Sequence, residues 1–191
     1  MRRISIAVAP FSIVLLVSLM VPVALGAHSR HHYRHHRHSR RGARIETLHP
    51  RARANLTAAV FDMKRHGIRP RVNSTFRSTS EQRAIFRCSH SANCRRRRGI
   101  YGARRPGTSL HEAGLAVDLG GVASGRRRHR HLTRRGRQMV RIMRKHGFAW
   151  RYGLKDPAHF EISARNAGFR TERAAIRSGQ ATHHSPSHRR V

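Results

Sequence analysis

The clearest pattern in the chain is an apolar stripe at helical spacing between residues 51 and 66. Its members recur one, three or four positions apart, as on one face of an α-helix: Leu56, Ala59, Val60 and Met63. Gly67 follows where such a helix would end. A similar stripe lies in the segment TRRGRQMVRIMRKHG, with Thr133 as the predicted N-cap and Gly147 as the predicted stop. Both stretches are therefore predicted helices.

Shorter signals predict one more helix and several strands. Ser78 and Glu81 have the spacing of a capping box and predict a helix through about Phe86. Short apolar or alternating runs predict strands in four segments: RVNSTF, GLAVDL, FAWRY and HFEIS. Residues 95–110, rich in arginine and glycine, are a predicted loop. Since helices and strands do not alternate regularly, the expected fold class is α+β, a small antiparallel sheet flanked by helices.

The two ends of the chain differ from this middle part. Residues 1–27 hold two arginines, a long apolar run and small residues at its end, which predicts a cleaved signal peptide. The alternative is an uncleaved membrane anchor, because the run is long enough to span a bilayer. Residues 28–44 are a predicted disordered arm rich in His and Arg, and residues 171–191 a predicted basic tail. A single domain is expected over residues 45–170, in a protein exported to the periplasm, the cell wall or the medium.

The charge of the chain is strongly one-sided. It has 41 Lys+Arg against 8 Asp+Glu, for a formal net charge of +33. Such a charge predicts long-range attraction to polyanions, and the basic tails are expected to bind anionic polymers of the cell envelope. An exported polyanion-binding or cell-wall-binding protein without catalytic activity is thus one hypothesis. The sequence has no recognition-helix, zinc-finger or aromatic RNA-binding signature, so a specific nucleic-acid partner is not expected.

The two cysteines are close together in the sequence. Five residues separate Cys88 from Cys94. In an exported chain this spacing predicts a small disulfide loop, and the alternative is two free thiols. A metal site built from this pair alone would lack enough ligands.

The protein is expected to be a monomer.

The scarce carboxylates lie beside histidines in two places. His111 and Asp118 are seven positions apart in GTSLHEAGLAVDLGG, and Asp156 precedes His159 by three in DPAHFEI. A catalytic zinc usually takes three protein ligands and leaves its fourth position to water. A turn at Gly114 would bring His111 and Asp118 to one point, where His159 could be the third ligand and Asp156 could take a proton from the zinc water. With 17 histidines in the chain, a chance neighbourhood is the alternative that spacing alone leaves open.

Three motifs resemble those of the VanY-like zinc D-alanyl-D-alanine carboxypeptidases and their endopeptidase relatives. The segment SLHEAGLAVD is similar to the family motif SxHxxGxAxD, STFRSTSEQ resembles SGYRSxxxQ, and DPAHFEI resembles ExWHF. They occur in the family's order and cover about residues 50–165. The resemblance implies a hedgehog/DD-peptidase-like domain that binds Zn²⁺ and hydrolyses peptidoglycan stem peptides.

The resemblance also implies a role for each matching residue. Three residues would be zinc ligands: His111, Asp118 and His159. Three would contact substrate: Ser109, Gln82 and Arg77. The Arg77 guanidinium would stabilise negative charge as it develops on the substrate. Asp156 would be the base that activates the zinc-bound water.

The sequence departs from the carboxypeptidase motifs at three positions. Asp156 stands where the carboxypeptidases have the longer Glu, although L-alanyl-D-glutamate peptidases of the endolysin type look similar in having Asp. Ala158 replaces a Trp, and Thr75 stands where Gly is frequent. These departures leave open whether the activity is that of a carboxypeptidase or an endopeptidase, and a third hypothesis is a related fold that binds wall peptides without cleaving them. Glu161, two positions after His159, is expected to support the site or the fold rather than to bind the metal.

Overall fold

The computed structural model describes residues 43–100 and 102–184. The predicted signal peptide and most of the predicted arm lie outside the described residues, as do residues 185–191. Within the described part of the chain, no helix has both the length and the apolar character needed to cross a membrane.

The described residues form five α-helices and five strands, joined by loops and short 3₁₀ helices. The helices are α1 (Pro50–Arg65), α2 (Thr79–His90), α3 (Ala92–Arg98), α4 (Arg134–Lys145) and α5 (Glu172–His184). The strands are β1 (Arg71–Ser74), β2 (Ala116–Gly120), β3 (Ala123–Ser124), β4 (His131–Leu132) and β5 (His159–Glu161). This mixture of helices and small antiparallel sheets confirms the predicted α+β class.

The central sheet separates a buried face from a polar face. Its strand order is β1-β2-β5 with antiparallel pairing, and β3 and β4 form a separate ribbon. Val117 lies opposite Phe160, and Asp118 lies opposite His159. Residues directly opposite each other share a face, and successive residues alternate between faces. Asp118 and His159 therefore point to one side, and Val117 and Phe160 point to the other.

The buried face packs against helices α1 and α4. Val117 and Phe160 have no exposed surface and belong to one apolar core with residues of both helices. The helical members of this core include Leu56, Ala59, Met63, Met139, Ile142 and Met143. As predicted, Thr133 caps α4, because its hydroxyl oxygen accepts a hydrogen bond from Gly136 N at 2.8 Å. The apolar stripes read from the sequence are thus the core-facing sides of these helices.

Helix α3 occupies part of a segment that was predicted to be a loop. Ser91 caps it by accepting a hydrogen bond from Cys94 N at 3.4 Å, and Gly99 ends it with a φ of 68°. Arginine is a good helix former, so the arginine run between these two residues was itself a helix signal. The disulfide between Cys88 and Cys94 joins α2 to α3, which confirms the predicted pairing.

The predicted strand FAWRY is wrong beyond a single residue. Ala149 forms an isolated bridge with Glu161, through backbone hydrogen bonds of 2.7 and 3.0 Å. After Trp150 the chain turns into the 3₁₀ helix Gly153–Lys155. The Trp150 indole N–H donates to Pro157 O at 3.1 Å, which fixes the turn that leads back to β5.

The folded part extends past residue 170, where the sequence predicted a tail. Ala175 and Ile176 of α5 are buried in the core. At Gly179 an added Cβ would lie 2.6 Å from Glu112 O, so only glycine permits this close contact. Because Ile176 is the only large apolar residue of α5, the hydrophobic signal of this helix in the sequence was weak.

Candidate metal centre

The three predicted ligands come together on the polar face of the central sheet. One potential ligand atom from each of His111, Asp118 and His159 lies within 4.8 Å of the other two. His111 belongs to the 3₁₀ helix Leu110–Ala113, whereas Asp118 and His159 are paired across β2 and β5. Gly114 makes the turn between them with a φ of 65°, and a Cβ there would lie 2.8 Å from His49 N. The predicted turn at this glycine is therefore enforced by backbone conformation and by space.

His111 is held with one ring nitrogen toward the cluster. It is buried, and its Nδ1 lies 2.6 Å from Thr75 O. A carbonyl can only accept, so Nδ1 carries the proton and Nε2 presents a lone pair. That Nε2 lies 3.3 Å from Asp118 Oδ1 and 3.3 Å from His159 Nδ1. Burial, and then the positive charge of Arg77, lower the pKa of His111, which favours the neutral form that a metal ligand requires.

His159 lies between two carboxylates. Its Nδ1 is 3.4 Å from Asp118 Oδ1, and its Nε2 is 2.9 Å from Glu161 Oε2. Burial alone would lower the pKa of His159, but the hydrogen bonds to Asp118 and Glu161 outweigh it and raise the pKa to about 9. The buried Glu161 is paired in turn with Arg151, whose Nε lies 2.7 Å from Oε1. A carboxylate on the outer nitrogen of a histidine is the usual support of a metal-binding imidazole.

Asp118 connects the two histidines to Arg77. Its Oδ1 faces both imidazoles, and its Oδ2 lies 2.6 Å from Arg77 Nη2. Burial alone would raise the pKa of the Asp118 carboxyl, but His111, His159 and Arg77 hold it well below its usual range. Arg77 is fixed further by a hydrogen bond of 3.0 Å from its Nε to Ser74 Oγ. The structure therefore places Arg77 at the cluster, and its contact with substrate stays a prediction.

Asp156 lies beside the cluster without a hydrogen bond from its carboxyl to any of the three residues. Its main-chain oxygen accepts a hydrogen bond of 3.2 Å from His159 N. The side chain reaches solvent, yet partial burial and then the negative charge of Asp118 raise the pKa of its carboxyl. A carboxylate with a raised pKa next to a reaction centre is suited to accept and return a proton. Its assignment as the base stays a prediction.

Ser109 and Gln82 contact protein groups near the cluster. Ser109 is buried at the start of the 3₁₀ helix, and its N–H donates to Glu112 Oε2 at 3.3 Å. Gln82 is 1% exposed, donates from Nε2 to Arg104 O at 2.7 Å and accepts from Arg77 Nη1 at 3.5 Å. These contacts hold Ser109 and Gln82 in place. Direct contact of either side chain with substrate stays a prediction.

A group of connected residues that the sequence did not predict begins next to His159 with Tyr152. The Tyr152 ring lies 5.1 Å from the His159 ring, and its hydroxyl accepts from Arg104 Nη1 at 3.2 Å. Arg104 and Arg151 both approach Glu172, at 3.4 and 4.0 Å. These residues come from three separated segments, so their proximity has no signal in linear spacing.

The donor atoms of the cluster fit a zinc ion. Two imidazole nitrogens and one carboxylate oxygen form the mixed N and O set that zinc accepts, whereas Mg²⁺ and Ca²⁺ prefer oxygen alone. His111 and His159 each have the outer nitrogen bound to an acceptor, which leaves the inner nitrogen for a metal. The fit thus rests on both the atoms and their orientation.

Comparison with known proteins gives a family match and two similar solved structures. The profile of the family described as VanY, D-alanyl-D-alanine carboxypeptidase, matches residues 45–166. One similar structure is that of the LdcB LD-carboxypeptidase, which is described as revealing the basis of peptidoglycan recognition. Its sequence is 21% identical to this chain, and the match covers 71% of this chain and 64% of the LdcB chain, with a TM-score of 0.42. The other is a variant of the vancomycin-resistance D,D-pentapeptidase VanY in complex with Zn(II). Its sequence is 20% identical to this chain, and the match covers 72% of this chain and 79% of the VanY chain, with a TM-score of 0.45. This chain therefore spans less than two thirds of the LdcB chain, and no curated protein is significantly similar to it.

Proposed function

Because the chain belongs to the VanY family of D-alanyl-D-alanine carboxypeptidases, we propose that it is a zinc-dependent peptidase that hydrolyses peptidoglycan stem peptides. The observation that carries the proposal is the convergence of His111, Asp118 and His159, with ligand atoms within 4.8 Å of one another. In a chain with only 8 acidic residues, one lies in this cluster, and Asp156 and Glu161 flank it. Both imidazoles turn one nitrogen toward the cluster and the other toward an acceptor, as ligands of one metal ion would.

His111, Asp118 and His159 would hold Zn²⁺, which polarises a scissile carbonyl and lowers the pKa of water. Asp156 accepts a proton from the attacking water and returns it to the amine that leaves. The raised pKa of its carboxyl makes both transfers easier near neutral pH than they would be for an ordinary aspartate.

Arg77 and Glu161 have different tasks in this proposal. Arg77 orients Asp118 through their 2.6 Å ion pair and places a positive charge where the substrate oxygen becomes negative. Glu161 positions His159 through the 2.9 Å contact with Nε2. Burial alone would raise the pKa of the Glu161 carboxyl, but the hydrogen bond and charge of His159, and then the charge of Arg151 at the other oxygen, lower it.

The substrate determines where the protein must act. Peptidoglycan is outside the cytoplasmic membrane, so the proposal includes export and a location in the cell envelope. The signal peptide over residues 1–27 and the monomeric state remain predictions.

Digestion of purified muropeptides tests the proposed function. The zinc-loaded chain is incubated with stem peptides that end in D-Ala-D-Ala, and the products are identified by mass. Release of the terminal alanine would assign a carboxypeptidase, and an internal cut would assign an endopeptidase; either supports the proposal. Zinc-loaded protein that leaves every stem peptide intact would contradict it.

A further inference from the structure

Helix α4 has positively charged residues at nearly all of its solvent-exposed positions. Six of its 12 residues are Arg or Lys, all of them exposed: Arg134, Arg135, Arg137, Arg141, Arg144 and Lys145. The helix contains no acidic residue, and its apolar residues are buried in the core. One side of α4 thus stabilises the fold, and the other presents positive charge to solvent.

Four of these arginines form a row. Arg134, Arg137, Arg141 and Arg144 are three or four positions apart, so they are neighbours on one helix face. At 1.5 Å per residue the row extends about 15 Å along the helix axis. These four residues are called the arginine stripe below.

The charge of the arginine stripe is not compensated within the described residues. All 8 acidic residues of the chain lie in this part, and only Asp62 pairs with α4. Asp62 contacts Lys145 at 3.0 Å and His146 at 2.8 Å, and neither belongs to the stripe. Arg137 donates to Leu132 O at 3.0 Å, a neutral acceptor that leaves its charge intact.

Arg144 and Lys145 in the last turn suit the helix dipole, but the rest of this arrangement works against the stability of the helix. Like charges three or four positions apart repel, and Arg134 and Arg135 lie in the first turn, where the helix dipole favours acidic residues. The other described helices of 12 or more residues each contain an acid: Asp62, Glu81 and Glu172. A helix surface whose charges lower helix stability, with no acidic partners to offset them, is expected where that surface has a function.

We propose that the arginine stripe binds a linear, phosphate-rich polymer of the cell envelope and docks the domain on it. Guanidinium groups bind phosphate through paired N–H donors, and a row of them suits phosphates that recur along one flexible chain. The exposed side of α4 has no aromatic residue on which bases could stack, which disfavours single-stranded nucleic acid. The inference that the polymer belongs to the cell envelope rests on the proposed function. The inference that the stripe binds phosphate groups does not.

The position of α4 leaves the metal centre accessible. The apolar side of α4 shares the core with Val117 and Phe160, whereas Asp118 and His159 lie on the opposite face of the sheet. The arginine stripe therefore points away from the cluster. A polymer bound there would hold the protein in place without covering the site.

Binding of fluorescent poly(glycerol phosphate) to two charge-matched variants of the full chain tests the proposal. The stripe variant replaces all four stripe arginines with glutamine, which is also a good helix former. The matched control replaces four other exposed arginines with glutamine: Arg165, Arg170, Arg173 and Arg177. Each variant loses four positive charges, so net charge alone predicts equal effects.

The stripe variant should bind at least about tenfold more weakly at low salt, and the control should change less than about threefold. At about 0.7 per phosphate contact, the slope of log K against log salt should fall by about 2 to 3 units in the stripe variant only. Circular dichroism and thermal melting check that both variants fold. If the stripe variant does not fold, Arg141→Gln with Arg144→Gln should still weaken binding more than Arg173→Gln with Arg177→Gln.

Three outcomes would overturn the proposal: equal losses in the two variants, no loss in the stripe variant, or a stripe-dependent preference for duplex DNA over poly(glycerol phosphate). Hydrolysis of a small soluble peptide is measured in parallel and should be unchanged in the stripe variant. Normal polymer binding without any peptide hydrolysis in the wild type would contradict the proposed function and leave the phosphate-binding surface standing.

Discussion

Replacing Asp156 with asparagine should abolish peptide hydrolysis while zinc stays bound. The amide has nearly the shape of the acid but cannot accept a proton at neutral pH. General-base assistance typically contributes about 10²–10⁴ in rate. At about 1.4 kcal/mol per factor of ten, this loss corresponds to about 3–5 kcal/mol of transition-state stabilisation.

The contacts of Asp156 explain why the metal centre should survive the change. Its contact with His159 uses the main-chain oxygen, which accepts a hydrogen bond at 3.2 Å and is unaffected by the substitution. Partial burial, and then repulsion from Asp118, raise the pKa of its carboxyl. Removing that charge relieves the repulsion and leaves the proposed ligand atoms in place.

The assay measures kcat/KM with a peptide ending in D-Ala-D-Ala and zinc content by mass spectrometry. Glu46→Gln removes one charge at an exposed position and should behave as wild type. Asp156→Glu introduces the acid of the carboxypeptidase motif and should keep measurable activity. Near-normal turnover by Asp156→Asn would refute the assignment of the base and direct attention to Glu161, whereas loss of zinc would make Asp156 a ligand or the support of one.

Three further predictions concern other parts of the structure. Glu161→Gln should weaken zinc binding about 10–100-fold, because His159 loses the carboxylate on its Nε2. Competition with a chelator measures the zinc affinity, and an unchanged affinity would show that Glu161 does not position His159. Since the pKa of His159 is raised to about 9, zinc must displace a proton below that pH. Apparent affinity should therefore rise about tenfold between pH 7 and 8 and less steeply toward pH 9; a flat pH profile would contradict this linkage. Cys88→Ser with Cys94→Ser should lower the free energy of unfolding by about 2 kcal/mol in urea titrations, whereas no difference from oxidised wild type would show that the cross-link adds no stability.

The sequence predicted which ligand-type residues come together better than it predicted the contacts around them. His111, Asp118 and His159 were identified because their residue types and order carry a motif, and the Gly114 turn follows from local geometry. The contacts of Tyr152 and Glu172 were missed, since they depend on how distant segments fold together. Motif spacing therefore identifies functional residues that are concentrated in short segments. Ion pairs between distant segments can be identified only from the three-dimensional structure.

The errors in secondary structure have a similar origin. α3 was missed because the glycine content of its neighbourhood suggested a loop, although Ser91 and Gly99 supply a cap and a stop. α5 lies in a segment whose sequence predicts a tail, because Ile176 is the only large apolar residue of this helix and Ala175 and Gly179 contribute little apolar surface. Helices α1 and α4 were predicted, since each has a strong apolar stripe that must be buried.

Zinc content and stem-peptide cleavage, measured on the same preparations of wild type and His111→Ala, test the central claim most directly. The wild type should carry about one zinc per chain and cleave the peptide. His111→Ala should lose both, because it removes the nitrogen that faces Asp118 and His159 at 3.3 Å. A wild-type chain that binds no zinc and cleaves no stem peptide would contradict the peptidase account and favour a protein that only binds polyanions.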